Sequence, residues 1–79
     1  MNKEEIKEKV ISLIADTLEI DKNSINEKSN LVSDLDVESL DLVNLVVAFE
    51  DEYNVEIPDN EIKNLQTVED IINFIEKNV

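Results

Sequence analysis

Few residues in this sequence can do chemistry. It has no cysteine and no histidine, which removes a thiolate nucleophile, a Cys-ligated zinc and the commonest general base. All seven cations are lysines, so no arginine can grip a phosphate bidentately. Carboxylates, hydroxyls and lysines remain, and the string Asp34-Leu-Asp-Val-Glu-Ser39-Leu-Asp41 gathers three acids and then a fourth around one hydroxyl. In plain helical terms Ser39 is a serine near a helix start, where serine is common. In chemical terms a hydroxyl there points out of a helix bundle and can be esterified. A phosphodiester on it would lie beside free backbone N–H groups at the positive end of the helix dipole. Asp36, Glu38 and Asp41 repel free phosphate, so a covalent bond is the way to hold it there.

Other readings of the same string fail. Asp34-x-Asp36-x-Glu38 imitates the start of a calcium-binding loop, but its sixth position is Ser39 where glycine is needed and its twelfth is Leu45 where glutamate is needed. Asp34 and Asp36 as an acid–base pair would be exposed and both ionised, whereas glycoside hydrolysis needs one carboxyl held protonated. No metal site and no catalytic site is expected. A chain of 79 residues rarely builds a cleft deep enough to tune carboxylates, so a binding or carrying module is favoured over an enzyme.

The elements that must position Ser39 are helical. Ile6, Val10, Leu13, Ile14 and Leu18 share one face of a helix predicted over about 3–18. Asn2 and Glu5 form its N-terminal capping pair. A second helix is predicted from about Ser39 to Tyr53, ended by Asn54-Val-Glu-Ile-Pro58, because the residue before proline is driven towards extended backbone. Asp59 is expected to cap a short helix carrying Ile62 and Leu65. Thr67-Val-Glu-Asp70 opens a last helix whose face is Val68, Ile71, Ile72 and Ile75. The predicted fold is therefore all-α, a four-helix bundle with one short helix and a long crossover loop between helices 1 and 2. A structureless connection as long as about 19–38 is uncommon in a compact domain, and this crossover is expected to be pinned across the bundle by Ile20, Ile25, Leu31, Val32 and Leu35. With no glycine in the chain, helix ends are expected to close through Asn23, Asn54 or Asn78. The pattern runs from one end of the sequence to the other without repeat or linker, as expected of a single free-standing domain over 1–79.

Helix 2 carries two apolar faces. Leu42, Leu45, Val46, Phe49 and Tyr53 cluster on one side, and Leu40, Val43 and Val47 on nearly the opposite side. The outer stripe is either covered by the crossover or exposed for a partner between Asp41, Asn44, Glu50 and Asp51. From Ser29 to Ile62 there are ten acids and no lysine, which reads equally as a solvated face or an electrostatic docking face. The net charge of −13 disfavours nucleic acid and anionic membrane surfaces. No run reaches membrane-spanning length, and no signal peptide is visible, so a cytoplasmic monomer without membrane insertion is expected.

Glu38-Ser-Leu-Asp41, followed by Leu-Val-Asn-Leu-Val-Val-Ala-Phe-Glu-Asp-Glu-Tyr53 and Glu56-Ile-Pro-Asp59, strongly resembles the bacterial acyl carrier proteins of fatty-acid synthesis. The resemblance continues through Thr67-Val-Glu-Asp-Ile-Ile-Asn-Phe-Ile75. It implies that Ser39 carries 4′-phosphopantetheine through a phosphodiester, with acyl intermediates held as thioesters on the arm's thiol and the chemistry done by partner enzymes. It implies docking through Glu38, Asp41, Glu50 and Asp51 with the apolar Leu40, Val43 and Val47, towards a phosphopantetheinyl transferase and synthesis enzymes with basic docking patches. It also implies an acyl pocket among Phe49, Ile57, Ile62, Leu65 and Ile71. The family usually has Gly-Ala-Asp before the serine, where this chain has Asp36-Val-Glu38, so the turn into helix 2 is expected to use ordinary backbone angles. Asn44 stands where an acid is usual, and Phe49 and Ile71 are bulkier than common choices. The alternatives are a dedicated carrier for a polyketide, aminoacyl or lipid-modification pathway, and an unmodified acidic adaptor protein.

Overall fold

A computed structural model describes residues 2–79. Its elements are α1 (Lys3–Leu18), a single 3₁₀ turn (Lys22–Ser24), α2 (Ser39–Tyr53), α3 (Asp59–Ile62) and α4 (Val68–Asn78). The all-α bundle with one short helix and a long crossover is the architecture read from the sequence. The capping pairs explain where α1 and α4 start. The Asn2 side chain accepts the Glu5 N–H at 2.9 Å, and Thr67 Oγ1 accepts the Asp70 N–H at 3.2 Å while the Asp70 carboxylate accepts the Thr67 N–H at 3.1 Å. Each satisfies backbone donors that a helix start leaves without partners.

The helix ends close differently from expectation. Asn54 takes the left-handed conformation after α2 (φ 53°), as expected, but the corresponding residue after α1 is Glu19 (φ 57°). Asn23 lies in the 3₁₀ turn and Asn78 is the last residue of α4. Asp59 does not cap α3 with its side chain. Pro58 precedes the helix in extended backbone, and its carbonyl accepts the N–H groups of Glu61 and Ile62 at 2.9 and 3.3 Å, so Asp59 is already inside the first turn. The helix stops at Ile62, and Leu65 is buried from the turn that follows.

The core joins Ile6, Val10 and Ile14 of α1, Leu45, Val46 and Phe49 of α2, and Val68, Ile71, Ile72 and Ile75 of α4. A fully buried aliphatic side chain is worth about 1.5–3 kcal/mol over an exposed one, so these three faces dominate the stability. Backbone hydrogen bonds hold the crossover in place. Leu31 N–H bonds the Gln66 carbonyl at 2.9 Å, Val68 N–H the Ser29 carbonyl at 3.1 Å and Glu69 N–H the Glu27 carbonyl at 2.9 Å, lashing it to the start of α4. The Asn30 side chain accepts the N–H groups of Val32 and Ser33, both at 3.0 Å, a local turn that fixes the chain without regular structure. Ile25 and Leu31 are buried and Ile20 and Leu35 half-buried, as expected of pins. Val32 is not one of them: it is 67% exposed, because the Asn30 turn directs it outward.

Candidate functional site

Ser39 is exposed and is the first residue of α2. Three local interactions put it there. Val37, two residues earlier, is buried, and its N–H donates to the Leu31 carbonyl at 2.9 Å, tying the approach to the crossover. Asp36, just before it, adopts a left-handed backbone (φ 55°) that turns the chain towards the helix. The expectation of ordinary angles at this turn is thus corrected: aspartate, among the more tolerant of non-glycine residues, supplies the positive φ. The Asp41 carboxylate then accepts the Glu38 N–H at 3.1 Å and closes the first turn. The N–H groups of Ser39 and Leu40, in the first turn of the helix, have no intrahelical acceptor.

Beside Ser39 opens a groove of about 760 Å³ between the crossover, the start of α2 and the segment after α3. Glu38, Ser39 and Leu40 line it from the start of α2, Leu31, Val37, Leu42, Ile62 and Leu65 supply apolar lining, and the exposed Lys63 is its cation. The arrangement can anchor a flexible chain at the serine and offer it an apolar trough. Of the five positions assigned to an acyl pocket, Ile62 and Leu65 line this groove. Phe49, Ile57 and Ile71 do not line it and are buried in the core cluster to which Leu65 also belongs. Sequence reasoning missed Val32, Leu31 and Val37 as groove residues. The signal available for Val37 was an apolar residue set between two acids immediately ahead of the serine.

The outer stripe of α2 is open to solvent. Leu40 is 72%, Val43 58% and Val47 50% exposed, so the crossover does not cover them. Glu38 and Asp51 are also exposed, whereas Asp41 and Glu50 are half-buried and already hold backbone N–H groups, Glu38 for Asp41 and Ile57 for Glu50. Exposed aliphatics ringed by carboxylates combine an apolar contact with a long-range attraction for cations. The salt bridges, Lys7–Glu27 at 3.1 Å, Lys9–Glu52 at 3.4 Å and Lys28–Glu69 at 3.8 Å, leave Glu38, Asp41, Glu50 and Asp51 uncompensated by lysine among the described residues. Glu27, through its hydrogen bond and charge, raises the Lys7 ammonium above the ordinary lysine range. Among the described residues no helix is long and apolar enough to cross a membrane.

Comparison with known proteins bears on this geometry. A family model described as the phosphopantetheine attachment site matches residues 8–75. The chain is 47% identical over 75 residues to an acyl carrier protein of Lactobacillus acidophilus, covering 95% of this chain and 94% of that protein. It is 43% identical over 79 residues to one from Thermosynechococcus vestitus, covering 100% and 98%, and 42% identical over 76 residues to one from Thermotoga maritima, covering 96% and 94%.

Proposed function

Since the chain belongs to the phosphopantetheine-attachment family of the acyl carrier proteins, we propose that Ser39 is its attachment residue and that the protein shuttles acyl intermediates between the enzymes of fatty-acid synthesis. The observation that carries this reading is the position of Ser39: exposed, at the first residue of α2, on the lip of an apolar groove. The group fits the residues present. The Ser39 hydroxyl is open to an incoming transferase, the first N–H groups of α2 stabilise a phosphodiester there, and the groove walls accept apolar cargo. When attached, the arm supplies the thiol that the sequence lacks and holds acyl groups on it as thioesters.

The chain's own residues orient and recognise. Asp36, Val37 and Asp41 fix the turn that presents Ser39. Glu38, Asp41, Glu50 and Asp51 draw in basic partner surfaces, and Leu40, Val43 and Val47 make the contact that holds them. No residue is assigned a catalytic role; the protein acts as a monomeric, cytoplasmic, single-domain carrier on which partner enzymes work. Incubation with a phosphopantetheinyl transferase and coenzyme A tests the assignment. Intact mass should show one added phosphopantetheine on the wild type and none on Ser39→Ala, and equal labelling of the two would remove the role from Ser39.

A further inference from the structure

We propose that Lys63 pairs with the phosphodiester of the arm and so steers the arm from Ser39 towards the segment after α3; the inference rests on Ser39 carrying the arm. Glu38, Ser39 and Lys63 line one groove, in which Glu38 is the one carboxylate and Lys63 the one cation. From Ser29 to Ile62 the chain has ten acids and no lysine, so Lys63 is the first cation after that block. The ion pairs among the described residues occupy Lys7, Lys9 and Lys28, and Lys63 takes part in none of them. Lys63 is exposed, so its ammonium is free to meet an anion carried beside the groove.

Attachment itself creates the need for a cation there. A phosphodiester on Ser39 adds a permanent negative charge beside Glu38 and Asp41, and the Asp41 carboxylate already accepts the Glu38 N–H at 3.1 Å. The first N–H groups of α2 offer only partial charge. An ammonium brings a full charge and three donors on a flexible four-carbon stem. The backbone beneath Lys63 is fixed. The N–H groups of Asn64 and Leu65 donate to the carbonyls of Glu61 and Ile62, both at 3.0 Å, and the Gln66 carbonyl accepts the Leu31 N–H at 2.9 Å. The lysine therefore swings from a base tied both to α3 and to the crossover, and it draws the anion to that side of Ser39. An exposed ion pair adds little to stability. Its effect is on the direction in which the arm leaves the serine.

The test compares apo and holo forms of the wild type, Lys63→Gln, Lys63→Arg and Lys22→Gln, with the arm's mass verified on each holo form. Lys22 lines a different groove and controls for net charge. Two NMR readouts are taken at neutral pH: the phosphorus resonance of the arm against salt, and the apo-to-holo change in backbone amide shifts within each variant. Raising salt from about 0.01 M to about 1 M shortens the Debye length from about 30 Å to about 3 Å. In the wild type this should displace the phosphorus resonance, and attachment should perturb the amides of residues 63–66 as well as those around Ser39. Lys63→Gln should lose most of both effects, Lys63→Arg should retain them, and Lys22→Gln should behave as the wild type. A Lys63→Gln protein that matches the wild type, or a loss shared by Lys22→Gln or Lys63→Arg, would overturn the role of Lys63 while leaving Ser39 attachment intact. Absence of the arm's mass from the wild type would instead remove the reading on which the inference rests.

Discussion

The carboxylate of Glu50 accepts the backbone N–H of Ile57 at 2.8 Å, while the Glu50 carbonyl accepts the N–H groups of Asn54 and, at 3.3 Å, Val55. One residue therefore ties the end of α2 to the whole turn that leads into Pro58 and α3. The same carboxylate belongs to the acidic surface proposed to dock partners, so its two roles can be separated by substitution. Glu50→Lys should lower stability by about 1–3 kcal/mol through loss of the charged acceptor for a part-buried donor. Glu50→Gln keeps an oxygen acceptor and should cost less. Asp51→Lys, on an exposed residue, should leave the melting temperature almost unchanged and still slow transferase association. Thermal melts paired with association rates check this; equal melting temperatures for Glu50→Lys and Asp51→Lys would deny Glu50 its structural role.

Asp36 holds a left-handed backbone in the turn before Ser39. A β-branched residue tolerates that region least, so Asp36→Val should destabilise by about 1–2 kcal/mol. Asp36→Gly removes the steric cost but adds freedom to the unfolded chain, and the two effects should nearly cancel. Because the turn presents Ser39, Asp36→Val should also slow modification by the transferase, whereas Asp36→Gly should not. Melts and initial labelling rates on the two variants decide it.

Much of this arrangement was legible in the sequence because it rests on period and local caps. The stripe Ile6, Val10 and Ile14, the capping pairs at Asn2 and Thr67, and the bundle architecture all follow from spacing alone. The missed features are those decided by particular hydrogen bonds that residue type and spacing do not announce. Val32 looked like a pin because it is apolar, but the Asn30 side chain turns the chain so that Leu31 goes in and Val32 goes out. Val37 looked incidental because nothing local reveals that its N–H bonds the Leu31 carbonyl and that its side chain is buried in the groove's lining. Likewise Glu19 takes a left-handed conformation that propensity assigns to asparagine or glycine. There the Ala15 carbonyl accepts the Glu19 N–H and, at 3.0 Å, the Ile20 N–H, and this closure of α1 overrides the preference.

Tyr53 ends α2 with its ring half-buried against the core and its hydroxyl buried without a hydrogen-bond partner. Such a group costs its desolvation with nothing returned, so Tyr53→Phe should leave stability unchanged or raise it by up to about 1 kcal/mol. Burial first, and the Glu52 charge second, push the Tyr53 hydroxyl above the usual tyrosine range. The folded state therefore keeps this proton at a pH where the unfolded chain, at about pH 10, is losing it. The contribution is complete below that pH and falls away as pH rises through the folded value. Stability measured against pH should decline on the alkaline side in the wild type, and this component of the decline should be missing in Tyr53→Phe. A superimposable alkaline limb in the two proteins would show that the hydroxyl is solvated.

The two faces of α2 provide the sharpest separation of folding from recognition. Leu45 is 1% exposed and belongs to the core with Val46, Phe49 and the buried residues of α1 and α4. Leu45→Ala removes core volume that the neighbours cannot fully reclaim and should cost about 2–5 kcal/mol, a large share of the roughly 5–15 kcal/mol that holds a small domain together. Val47 lies only two positions further on, yet half of its surface is already in water, on the stripe with Leu40 and Val43. Val47→Ser should change stability by no more than about 0.5 kcal/mol, as for an exposed site without special features. Its effect should appear when a partner arrives, because an aliphatic anchor surrounded by carboxylates contributes only when it is covered. Labelling by the transferase should slow for Val47→Ser at a temperature where both the variant and the wild type are fully folded. For Leu45→Ala the slowing should instead track the folded fraction and vanish once conditions restore it. If Val47→Ser is labelled at the wild-type rate, the apolar half of the docking surface lies elsewhere, and the exposed Val32 beside Ser39 becomes the next residue to replace.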